Sequence, residues 1–170
     1  MDEKRIGVIG AGAWGTGLAQ ALARGGHTVQ IWAREQDVAD AINTKHENTR
    51  FLPGFRLSER LTAETDIRAC VTGMEFLILA SPSLYLASTV SQLLDMPEIA
   101  SGELCIGVLS KGFIPSERGP RLILETLEET LGAQYLHNTV YISGPSHAEE
   151  VAMGKLTGLI AASENPKNAI

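Results

Sequence analysis

The feature that most constrains this chain is the run Gly10-Ala11-Gly12-Ala13-Trp14-Gly15. It follows a short apolar stretch, residues 6–9, and precedes a segment whose Leu18, Ala19 and Leu22 share one helical face. A bare GxGxxG is a weak signal. Placed between a strand and a helix, each glycine has a physical task. Gly10 permits a tight turn, Gly12 lacks the Cβ that would keep a pyrophosphate off the backbone, and Gly15 lets helix and strand pack closely. The N–H groups around Ala13, Trp14 and Gly15, together with the helix dipole, would then hold the phosphates.

The surrounding pattern extends this turn into a fold. Residues 16–23 read as a helix stopped by Gly25-Gly26, and residues 28–32 as a second β-branched strand. That βαβ unit implies parallel strands and a right-handed crossover. Further apolar strands are expected at 61–63, 76–80, 104–109, 139–142 and 156–162. Helices are expected at 36–44, 67–71, 85–94, 121–131 and 146–153. Alternation of this kind predicts an α/β fold of the Rossmann-like, doubly wound type, a mostly parallel sheet with helices on both faces. Residues 1–170 suffice for one such domain. Asn165-Pro166 reads as the opening of a further helix with Ala169-Ile170 as its first apolar residues, so the chain is expected to stop at the start of another element.

Composition removes several alternatives. With 14 Lys and Arg against 20 Asp and Glu, the formal charge of −6 argues against a nucleic-acid binder. Cys70 and Cys105 belong to no cluster with metal-ligand spacing and read as buried reduced thiols, so no metal is expected. No apolar stretch is long enough to span a bilayer, and the N-terminus lacks the layout of a signal peptide, which makes a cytoplasmic protein the expectation.

Specificity for the adenine ribose is set where the second strand ends. There an acidic residue favours NAD, and Arg favours the 2′-phosphate of NADP. This chain has Arg34 followed by Glu35. Arg34 is the better placed if the strand ends at Ala33, which favours NADP; Glu35 would take the 2′-hydroxyl or face solvent. Ser81-Pro82-Ser83, Ser110-Lys111-Gly112 and Gly144-Pro145-Ser146 each follow an expected strand and should converge on the edge that carries the glycine turn. Lys111 can offer a cation to a carbonyl oxygen or a phosphate. Ser146-His147-Ala148-Glu149 matches a capping box with Ser146 as N-cap. His147 is a weaker candidate for acid–base work.

The stretches from Gly7 to Thr16, Trp32-Ala33-Arg34, Phe51-Leu52-Pro53-Gly54, Ser110-Lys111-Gly112 and Gly144 to Ala152 together resemble the bacterial type of NAD(P)-dependent glycerol-3-phosphate dehydrogenase. The resemblance runs in order over essentially the whole chain. It implies reduction of dihydroxyacetone phosphate to sn-glycerol 3-phosphate with NAD(P)H, for phospholipid synthesis. It also implies cofactor contacts at Trp14, Arg34, Lys111 and Ala148 and substrate contacts at Lys111, Gly144 and Ser146. Family members carry a second, mostly helical domain that holds the acid–base lysine and the phosphate-gripping Arg and Asn. That C-terminal substrate domain has no counterpart in these 170 residues, so little turnover is expected of them alone. An apolar face left uncovered would favour self-association, a homodimer included. Two residues depart from the family habit: His147 stands where Phe is common, and Gly17 where Ala is common. Gly17 would loosen the first helix by about 1 kcal/mol if exposed. Two other readings stay open, a hydroxy-acid dehydrogenase of the 6-phosphogluconate or ketopantoate type and a non-enzymatic dinucleotide-sensing module.

Overall fold

A computed structural model describes residues 2–117 and 119–168. Its centre is β1 (Arg5–Ile9), joined through α1 (Ala13–Arg24) to β2 (Thr28–Trp32), then through α2 (Gln36–Lys45) to β3 (Leu61–Glu64). The chain returns to β4 (Phe76–Leu79) on the other side of β1. It continues through α3 (Ser83–Val90), a 3-10 turn, α4 (Pro97–Ala100) and β5 (Cys105–Val108). A small antiparallel pair, β6 (Phe113–Ile114) and β7 (Arg121–Leu122), precedes α5 (Ile123–Leu131), β8 (Val140–Ser143), α6 (Ala148–Ala152) and β9 (Ile160–Ala162). The main sheet has the order β3-β2-β1-β4-β5-β8-β9, parallel throughout except for the last pair. The strand order reverses direction beside β1, which is the switch point where such sheets take ligands.

Strand alternation divides the interior into two cores. Ile6 and Val8 of β1, with Val29 and Ile31, pack under Leu18, Ala19, Val38 and Ile42 of α1 and α2. Ile9, Leu77, Leu79, Ile106 and Val108 face the opposite way and are covered by Leu86, Val90, Leu127 and Leu131. Because both faces of the central strands β1, β4 and β5 are covered, these strands are apolar at nearly every position. Each fully buried Leu or Ile contributes roughly 1.5–3 kcal/mol relative to exposure. In register, Ile9 pairs with both Trp32 and Leu79, and Leu79 with Val108. The carboxyl ends of β2, β1, β4 and β5 therefore lie level at one edge.

The structure corrects several element boundaries. Residues 67–71 form successive turns rather than a helix, with Val71 and Thr72 both donating to the Arg68 carbonyl. The segment crosses so close beneath β1 that the Cys70 carbonyl lies where a Cβ on Gly7 would be. Helix α1 begins three residues earlier than expected, which puts Ala13, Trp14 and Gly15 in its first turn. Helix α5 begins at Ile123 because Arg121 and Leu122 pair with the strand after Lys111. The last strand shrinks to Ile160–Ala162, a pairing antiparallel to β8. Cys105 is only partly buried, unlike Cys70; both are free thiols. The expected apolar start at Ala169-Ile170 lies outside the described residues. Among the described residues, no helix is long and apolar enough to cross a membrane.

Candidate functional site

The glycine turn sits at the level edge of the sheet. Gly10 has φ +123°, and a Cβ there would lie 2.8 Å from the Ser81 nitrogen at the end of β4. A Cβ on Gly15 would run into the Gly10 carbonyl. Both positions therefore demand glycine for packing reasons. Gly12 differs: a Cβ there would meet nothing within 4 Å, so its backbone faces open space. It is also the N-cap of α1 and offers no side chain to the helix N-terminus. The first-turn N–H groups, from Ala13 onward, are thus left for a ligand, in a cradle that fits a dinucleotide pyrophosphate. Trp14 belongs to this first turn, and its indole Nε1 is buried with no partner among the described residues.

Two residues beyond β2, the exposed Arg34 guanidinium lies 3.0 Å from Glu35 Oε1. Glu35 is the N-cap of α2 but makes no side-chain capping bond. Arg34 and Glu35 thus stand side by side at the end of β2 as a surface pair.

The other loop ends converge as the strand pattern predicts. Ser110 Oγ, buried at the end of β5, donates to the Ser81 carbonyl at the end of β4. Lys111 Nζ reaches to 3.5 Å from the Gly144 carbonyl at the end of β8, and Ser146 Oγ donates to that same oxygen at 3.4 Å. Gly144 has φ +152°, and a Cβ on it would press to 2.5 Å from the Gly158 carbonyl, so the close return of the chain into β9 requires glycine here. Lys111, Gly144 and Ser146 thus form one cluster from two strand ends. The capping box is not formed. The N-cap of α6 is His147, which makes no side-chain capping bond, and Ser146 turns back to Gly144 instead. His147 is exposed. Ala148 opens α6, which packs across α1, and its carbonyl faces Gly17.

Sequence reasoning passed over Asn48. It lies in the loop after α2, is 0% exposed, and bonds to the glycine turn. Its only sequence signal was its place shortly before Phe51-Leu52-Pro53-Gly54.

Comparison with known proteins agrees with this geometry. The family model described as NAD-dependent glycerol-3-phosphate dehydrogenase N-terminus matches residues 5–169. A glycerol-3-phosphate dehydrogenase [NAD(P)+] of Treponema denticola is 48% identical over 176 residues, covering 100% of this chain and 49% of the relative. The crystal structure of a glycerol-3-phosphate dehydrogenase from Coxiella burnetii superposes with TM-score 0.82 at 30% identity, over 97% of this chain and 48% of that one. The enzyme from Saccharomyces cerevisiae gives TM-score 0.82 at 27% identity, over 98% and 49%. The chain spans about half the length of the curated relatives it matches. With a Rossmann-like sheet, a glycine turn at its carboxyl edge and a family match over nearly its whole length, the chain belongs to the N-terminal, NAD-binding family of the NAD-dependent glycerol-3-phosphate dehydrogenases.

Proposed function

We propose that residues 1–170 form a single cofactor-binding domain of an enzyme that transfers a hydride between NAD(P)H and dihydroxyacetone phosphate, giving sn-glycerol 3-phosphate. The observation that carries this reading is the convergence of Lys111 and Ser146 on the Gly144 carbonyl, on the sheet edge that also holds the glycine turn. The bound dinucleotide supplies the hydride. Gly10, Gly12, Ala13, Trp14 and Gly15 hold its pyrophosphate, Arg34 its ribose end, and Ala148 borders it from α6. Lys111 lies between cofactor and substrate, where its ammonium stabilises the negative charge that grows on the ketone oxygen. Gly144 and Ser146 hold the substrate beside it. The acid–base lysine and the phosphate grip belong to the second half of a family-length protein. Arg34 favours NADP. The setting is cytoplasmic, and the exposed Leu156 and Ile160 beside the β9 edge support self-association of the 170-residue chain as a homodimer.

Titration of the chain with NADPH and NADH, read by Trp fluorescence, tests the cofactor part. Saturable binding, tighter for NADPH, is expected; no binding of either at millimolar concentration would overturn it. Turnover of dihydroxyacetone phosphate by the family-length protein, and not by 170 residues alone, tests the rest.

A further inference from the structure

Buried polar side chains need partners, and Asn48 spends both of its amide protons on the glycine turn and the start of α1. One Nδ2 proton goes to the Ala11 carbonyl at 2.9 Å and the other to Thr16 Oγ1 at 2.8 Å. Oδ1 accepts the Phe51 N–H at 3.0 Å. Thr16 Oγ1 in turn donates to the same Ala11 carbonyl at 3.3 Å. Two donors therefore hold the Ala11 oxygen inward.

That oxygen shares a peptide plane with the Gly12 N–H. In a trans peptide the C=O and N–H point in opposite directions. Holding the Ala11 oxygen inward aims the Gly12 N–H the opposite way, away from Asn48 and Thr16, at a residue whose Cβ position is also open. Rotation of the Ala11–Gly12 peptide would be cheap without this hold, because Gly12 has no Cβ to restrict it. It would present a carbonyl oxygen to an anion in place of a donor.

We infer that Asn48 is a positioning residue for the pyrophosphate: by clamping the Ala11 carbonyl with Thr16, it selects the peptide orientation in which the glycine turn can bind. This rests on the reading of the turn as a pyrophosphate site. Asn48 does not touch the cofactor. It acts through a backbone it holds from behind, and it ties that backbone to the loop that follows α2. Gln20 secures the far end of the same loop, donating to the Arg56 carbonyl and accepting from the Ser58 N–H.

The test compares two ligands by calorimetry on wild type, Asn48→Ala, Thr16→Val and Thr16→Ser. NADPH carries the pyrophosphate; adenosine 2′-monophosphate carries the ribose phosphate without it. Loss of one oriented donor to an anion is expected to raise the Kd of Asn48→Ala for NADPH about tenfold or more. Its Kd for adenosine 2′-monophosphate should stay within about twofold of wild type. Thr16→Val should share the NADPH defect and Thr16→Ser should not. An unchanged NADPH Kd, or equal weakening of both ligands, would overturn the inference. If Asn48→Ala fails to fold, equal NADPH affinities of Thr16→Val and Thr16→Ser overturn it. Wild type that binds no NADPH would instead remove the functional reading on which the inference stands.

Discussion

A Cβ built on Gly17 would sit 2.8 Å from the carbonyl oxygen of Ala148. Helix α6 rests on α1 at a place where only glycine leaves room, and Gly17 is buried. Its expected cost as an exposed helical glycine is therefore not what matters. Gly17→Ala gains up to about 1 kcal/mol of helix propensity but forces a backbone carbonyl to move. Overpacking of this kind costs about 1–3 kcal/mol. The variant should be less stable by about 1 kcal/mol, seen as a lower Tm, and a raised Tm would show that α6 yields freely.

Lys111 is exposed, its ammonium held only at 3.5 Å from Gly144. In the family-length enzyme, Lys111→Ala should lower kcat by about 10²–10³-fold, the scale of losing one preorganised charge stabiliser. Lys111→Arg should not restore it, because a planar guanidinium cannot replace a compact ammonium. Steady-state kinetics decide: near-normal kcat in Lys111→Ala would remove Lys111 from the chemistry, and near-normal kcat in Lys111→Arg alone would show that any cation suffices there.

With Arg34 proposed to meet the 2′-phosphate by a charge-assisted bond that NADH cannot make, Arg34→Gln should weaken NADPH binding about tenfold and NADH binding by less than about twofold. The difference should shrink with added salt, because Arg34 is exposed. Equal losses for both cofactors would mean that Arg34 meets some other part of the dinucleotide.

Burial pushes the Cys70 thiol up to about 12 from an ordinary value near 9, and the Tyr135 phenol up to about 12 from near 10. Both groups are thus neutral in the fold at pH values where the unfolded chain has already ionised. Their contribution to stability is intact below about pH 9 and is lost as pH rises towards 12. Urea midpoints should fall steadily above pH 9. Tyr135→Phe should flatten that fall, since it removes one of the two groups. It should also stabilise the protein near neutrality by about 1 kcal/mol, because the Tyr135 hydroxyl is buried with no partner among the described residues. A lower midpoint at pH 7 would count against the idea.

The strands and the glycine turn were legible because their signals are local. Ile6 to Ile9 and Phe76 to Leu79 are short apolar runs bounded by turn residues, as covered parallel strands read, and Thr28 to Trp32 places Val29 and Ile31 inward at alternate positions. The convergence of Lys111 with Gly144 and Ser146 also followed, since parallel strands put their carboxyl ends at one edge. Segments whose backbone obeys distant neighbours were misread. Residues 67–71 have helical periodicity but lie against Gly7, and Arg121-Leu122 leave their helix to pair with Phe113-Ile114. Ser146 has the spacing of a cap, yet its hydroxyl turns to the Gly144 carbonyl.

The sequence by itself determined the fold class, the place of the glycine turn and the strand ends that would gather around it. All of these rest on periodicity and on what glycine permits. Only the tertiary structure decided that Asn48 holds the Ala11 carbonyl from 37 residues away and that Gly17 is a contact rather than a weakness. A hydrogen bond or a missing Cβ acquires its meaning from the atom opposite, and that atom is chosen by the packing of the whole chain.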